Sequence, residues 1–120
     1  MMLLEHDAKI LLAQFGISIP EGVLANRSAH PTVNYPCFVK VQIPVGGRGK
    51  AGGIIKANNT DELEQALHKL VGATVRGHHV HECRIEQPAA GQECYVSLML
   101  DPSSGKVIIL MSAQGGIEVE

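Results

Sequence analysis

A glycine-rich tract between two β-prone runs does most to limit what this chain can become. Cys37 to Ile43, CFVKVQI, is dominated by β-branched and aromatic residues and reads as a strand. Gly46-Gly47-Arg48-Gly49-Lys50-Ala51-Gly52-Gly53 follows, and Ile54-Ile55-Lys56-Ala57 closes the unit as a second short strand. Five glycines in eight residues strip side chains from the loop, so backbone N–H groups can approach a ligand closely. Arg48 and Lys50 add positive charge, and amides together with cations suit a polyphosphate. Gly47, Gly49 and Gly52 match G-x-G-x-x-G, but the dinucleotide version needs a helix directly after the loop, and a strand-like run follows instead. The Walker A pattern fails as well, because Ala51 rather than Ser or Thr follows Lys50. Strand, glycine loop, strand is an arrangement that can fold over phosphates from above. A plain flexible turn is the other reading these residues leave open.

The 120 residues allow one ordinary domain, and an apolar content of 45% argues against disorder. A formal charge of −2, two Tyr, two Phe and no Trp disfavour nucleic-acid binding, which draws on basic patches or stacking aromatics. Cys37, Cys83 and Cys94 form no C-x-x-C pair, so reduced thiols and a cytoplasmic location are expected, without a zinc site. The start is apolar for only four residues before Glu5, which fits neither a signal peptide nor a membrane span. His78, His79 and His81 carry H-x-H spacing but lack a nearby set of acids or cysteines, so they read as surface-loop histidines rather than metal ligands.

Leu4, Ala8, Leu11, Leu12 and Phe15 fall on one face of a helix, and Gly16 is placed to end it. Gly22 to Ala25 reads as a short strand, and the polar stretch from Asn26 to Pro36 as a loop. Asn59 and Glu62 form a capping box for a second helix whose stripe is Leu63, Ala66, Leu67, Leu70 and Val71, with Gly72 as its stop. Thr74 to His81 is loop-like, and His81 to Glu86 alternates weakly, with Cys83 and Ile85 on one face. Glu93 to Leu100 alternates clearly, and Asp101 to Gly105 is a five-residue hairpin turn. Lys106 to Ser112, KVIILMS, is expected to be a buried central strand. Gly115-Gly116 turns the chain into Ile117 to Glu120, a strand-like run. An end within such a run implies a piece of a larger subunit, with an exposed sheet edge open to self-association.

The chain resembles, over its whole length, the N-terminal part of the β subunit of succinyl-CoA synthetase, an ATP-grasp ligase. The carriers are Leu3-x-Glu5-x-x-Ala8-Lys9 with Gly16, Val39-Lys40-x-Gln42 leading into GGRGKAGG, and Gly115-Gly116-Ile117-Glu118. The glycine tract after a lysine-bearing strand is the most specific of them. The resemblance implies an α+β ATP-grasp fold, N-terminal part only, with a mostly antiparallel sheet and two amphipathic helices. Residues 21–88 would be the small nucleotide-binding subdomain, and residues 1–20 plus 89–120 would begin the larger one.

The family converts ATP, a dicarboxylic acid and CoA reversibly into ADP, phosphate and an acyl-CoA. Its phosphoryl group passes to a histidine on a partner α subunit. On that resemblance Lys40 contacts the ATP phosphates, and Gly47, Arg48 and Gly49 close over them. Glu86 marks the hinge that receives adenine, a backbone contact lies near Ala89, and Glu93 accepts from the ribose hydroxyls. The ligands of Mg²⁺ would lie beyond residue 120, so the chain is expected to be inactive alone. Relatives that activate malate or citrate, and a stand-alone nucleotide-binding module, are the alternative readings. Neither nucleic acid nor a membrane is an expected partner.

Overall fold

The structure is a computed structural model that describes residues 2–28 and 31–116. The chain forms two compact units, Met1–Ala89 and Ala90–Glu120.

The first unit is built on a four-stranded antiparallel sheet. Its strands are β1 (Gly22–Ala25), β2 (Cys37–Val41), β3 (Ile54–Ala57) and, after a small hairpin of β4 (Thr74–Val75) and β5 (His78–His79), β6 (Cys83–Glu86). The order across the sheet is β1-β6-β2-β3, so β6, last of the four in sequence, lies between β1 and β2. Alternation sorts the side chains of β2 onto two faces: Cys37, Val39 and Val41 are buried, while Phe38 and Lys40 are half-buried on the other side.

Helix α2 (Thr60–Leu70) covers the apolar face with Leu63, Ala66, Leu67 and Leu70. Each buried leucine contributes about 1.5–3 kcal/mol of transfer free energy. The helix starts as its sequence predicts: the Asn59 side chain accepts from the Glu62 N–H at 2.9 Å. The reciprocal arm of the capping box is displaced by one residue, since the Glu62 carboxylate accepts from the Asn58 N–H at 2.8 Å.

Helix α1 (Glu5–Gln14) forms where its periodicity predicts, but it presents a different side to the sheet. None of its residues is fully buried, and Leu11, Leu12 and Phe15 are exposed. The half-buried side carries Glu5, His6 and Lys9, because these side chains have charged and polar partners on the sheet. Leu4 at the N-cap has no side-chain acceptor to offer the helix start. Gln42 takes that role from the sheet, its Oε1 accepting from the His6 N–H at 2.9 Å.

In the second unit β7 (Tyr95–Asp101) and β8 (Lys106–Ser112) form a hairpin through the turn Asp101 to Gly105. Asp101 fixes the turn by accepting from Ser103 and Ser104, which hold its carboxyl at about 2. The expectation of a buried central strand at Lys106–Ser112 is corrected. β8 pairs only with β7 among the described residues, and its apolar side chains are exposed. An apolar run reports affinity for cover and does not say what supplies it. The strand-like run Ile117 to Glu120 lies outside the described residues.

Candidate functional site

The face of the sheet opposite α2 gathers six charged side chains. Lys40 on β2 stands directly across from Arg84 on β6, and Phe38 stands across from Glu86. Helix α1 brings Glu5 and Lys9 over this face, and Arg48 reaches it from the glycine tract.

Glu86 sits at the centre, 3% exposed. Its Oε1 accepts from Lys40 Nζ at 2.6 Å, and its Oε2 accepts from Arg84 Nε at 2.7 Å and from Lys9 Nζ. Glu5 forms a second, more open node. Its Oε1 accepts from Lys9 at 2.7 Å and from Lys40 at 3.3 Å, and its Oε2 lies 2.6 Å from Arg48 Nη2. That last pair is close but misaligned for a hydrogen bond, so it holds by charge alone. Arg48 has a separate anchor, donating from Nη1 to the Val41 carbonyl at 2.9 Å. Arg84 is 1% exposed and also donates to the Pro20 carbonyl and to His6 Nδ1.

Four cations and two carboxylates leave this group of six with a formal charge of +2. Burial alone would push the two carboxyls up, but the surrounding cations win. Glu5 is held at about 2 by Lys9, Arg48 and Lys40, and Glu86 is lowered by Lys40, Lys9 and Arg84. Burial works against the Lys40 ammonium, yet Glu86 and Glu5 more than offset it and raise its pKa. The two carboxylates and the Lys40 ammonium thus hold one another in their charged forms.

The glycine tract is more ordered than a bare flap. The Ala51 N–H donates to the Gly47 carbonyl at 3.2 Å, Gly52 to Gly49 at 3.1 Å and Gly53 to Arg48 at 2.8 Å. The last two bonds close a Schellman motif around one helical turn, with Gly52 at the left-handed position, φ 72°. Three amides of the tract thus point to its own carbonyls. Arg76, at the tip of the β4–β5 hairpin, packs its guanidinium against the Cα of Gly47 and adds a cation at the edge of the tract.

The structure brings Lys40, Arg48 and Glu86 into one network and keeps Gly47 and Gly49 on the adjoining turn. Ala89 is exposed at the end of the first unit. Glu93 belongs to the second unit, where it is exposed and lies against Gly115 and Gly116. Sequence reasoning missed Glu5, Lys9, Arg76 and Arg84 as members of the site. Lys9 and Glu86 are 77 positions apart, and helix periodicity has no term for that pairing. The one legible signal was the charged start of α1, and Arg84 and Glu86 alternating with Cys83 and Ile85 along β6. Among the described residues no group of three or more His, Cys, Asp or Glu side chains could hold a metal ion. No helix among them is long and apolar enough to cross a membrane.

Residues 2–120 match the family model described as an ATP-grasp domain. The chain is 36% identical over 126 residues to the succinate–CoA ligase [ADP-forming] subunit beta of Halorubrum lacusprofundi. It is 40% identical over 126 residues to the protein of that name from Rubrobacter xylanophilus, and 38% identical over 133 residues to the one from Aquifex aeolicus. Each alignment takes in 100% of this chain but 33% or 34% of the relative. The chain therefore spans about a third of the length of the curated relatives it matches. With a lysine-bearing strand, an ordered glycine turn and an antiparallel sheet all in place, the chain belongs to the ATP-grasp domain family.

Proposed function

We propose that this chain is the nucleotide-binding segment of an ATP-dependent acid–CoA ligase of the succinate–CoA ligase type. The observation that carries the reading is the placement of Lys40 and Arg48 at the base of the glycine turn, within a group of six charged side chains that has a formal surplus of two positive charges. Lys40 supplies a point charge for the phosphate tail, and Arg48 supplies a second cation from the turn itself. Gly47 and Gly49 keep that turn free of side chains above the phosphates. The Glu86 carboxylate is filled by three cations, so in this reading it orders Lys40, and the stretch through Ala89 forms the adenine hinge. Glu93 takes the ribose.

Residues 21–88 are read as the small subdomain, and residues 1–20 with 89–120 as the start of the larger one. The whole enzyme converts ATP, a dicarboxylate and CoA to ADP, phosphate and an acyl-CoA through a phosphohistidine on an α subunit. Its Mg²⁺ ligands are placed beyond residue 120, and a cytoplasmic location is inferred. The described residues bind and orient the tail and take no part in the later transfer. The test is an assay of the full-length gene product with its α partner over succinate, malate and citrate. ATP-dependent thioester formation with succinate is expected. Turnover with malate or citrate alone would move the protein to a related ligase, and a product that binds ATP without ligase activity would reduce it to a binding module.

A further inference from the structure

Glu5 is placed oddly for a residue beside a phosphate site. Its carboxylate faces the same two cations, Lys40 and Arg48, that the proposed function gives to the phosphate tail. Its side chain is 17% exposed, against 18% for Lys40 and 17% for Arg48, whereas Glu86 is only 4% exposed. Glu5 is thus the less enclosed of the two carboxylates on these cations, although the oxygen it turns toward Arg48 is itself buried.

Neither cation depends on Glu5 for its position. Lys40 is anchored to Glu86 at 2.6 Å and reaches Glu5 only at 3.3 Å. Arg48 is anchored to the Val41 carbonyl at 2.9 Å, and its contact with Glu5 is misaligned. Helix α1 likewise has attachments of its own, through Lys9 to Glu86, His6 N–H to Gln42 and His6 Nδ1 to Arg84. Removing the Glu5 charge leaves all of these in place.

We infer that Glu5 is an internal counter-anion, which a polyphosphate displaces from Lys40 and Arg48 when it binds. The inference rests on the assignment of those two cations to the phosphate tail. On binding, Lys40 keeps Glu86 and exchanges its long bond to Glu5 for a phosphate oxygen. Arg48 keeps Val41 and makes the same exchange. Glu5 then stands as a like charge beside the tail, so it lowers affinity and ties the first turn of α1 to the occupancy of the site.

The test is calorimetric titration of the chain with inorganic tripolyphosphate and with ATP at low ionic strength, using wild type, Glu5→Gln and Lys40→Ala. Circular dichroism confirms that each variant is folded, and Glu5→Ala replaces Glu5→Gln if the latter is not. Glu5→Gln is expected to bind tripolyphosphate about five- to tenfold more tightly, with the gain shrinking in high salt. Lys40→Ala is expected to bind at least about tenfold more weakly. Unchanged or weaker binding by Glu5→Gln, with Lys40→Ala still impaired, overturns the counter-anion role and leaves the phosphate assignment standing. Binding that Lys40→Ala does not alter, or no binding by any form, overturns the assignment and the inference with it.

Discussion

Lys40 and Arg84 stand directly opposite each other on adjacent strands, two like charges in one cross-strand pair. Such a pair is unfavourable unless an anion lies between its members. Glu86, two residues along β6 from Arg84, supplies that anion, with one oxygen 2.6 Å from Lys40 and the other 2.7 Å from Arg84. The sheet face that bears Lys40 is thus held together by one buried carboxylate.

Glu86→Ala should therefore be among the most damaging changes in the first unit. It leaves Lys40, Lys9 and Arg84 facing one another without their shared partner. A loss of about 3 kcal/mol or more is expected, as for other buried pairs stripped of one member. Urea unfolding followed by circular dichroism measures it, and a loss below about 1 kcal/mol would show that water already screens the cluster.

Acid should dismantle the same network. Glu5 titrates at about 2 in the folded chain against an ordinary value of 4.5, and Glu86 is lowered as well. Groups with depressed folded values stabilise the fold above their unfolded pKa, and that stabilisation drains away as pH falls through the folded value. Stability should hold from neutrality down to about pH 4.5 and then decline toward pH 2. Glu5→Gln should flatten part of that decline in a series of thermal melts.

Much of this architecture was legible from the sequence. Asn59 and the stripe from Leu63 to Leu70 place α2 and its buried face, because capping and amphipathic packing act within a few residues, and only the return arm from Glu62 lands one residue early, on Asn58. The β2, glycine turn and β3 unit was equally readable from β-propensity and glycine spacing. The face that α1 presents was not. Its apolar stripe suggested burial of Leu11 and Phe15, and the structure docks Glu5 and Lys9 instead, through partners more than thirty positions away. The Schellman closure of the glycine tract was also hidden, since composition shows that a backbone is permissive without showing which carbonyls its amides choose.

Gly22 owes its identity to Arg84. A methyl group at residue 22 would fall 2.6 Å from the guanidinium carbon, and Arg84 is fixed there by Pro20, His6 and Glu86. Gly22→Ala should cost about 1–3 kcal/mol by overpacking, measured as a lower urea midpoint with an unchanged slope.

The three thiols should separate cleanly by reactivity. Cys94 is exposed, whereas Cys37 and Cys83 are buried, and burial pushes Cys83 up to about 12. An aromatic disulfide reagent at neutral pH should label one thiol quickly and the other two only on unfolding. Cys94→Ser should abolish the fast phase.

The central claim, that the turn from Gly46 to Gly53 and Lys40 receive a nucleotide's phosphate tail, is tested most directly by titrating the ¹⁵N-labelled chain with ATP. The amides of residues 46–53 and of the β2 stretch around Lys40 should shift together, with adenosine alone leaving the turn unmoved. Shifts confined to the α2 face, or equal shifts with adenosine and ATP, would contradict it.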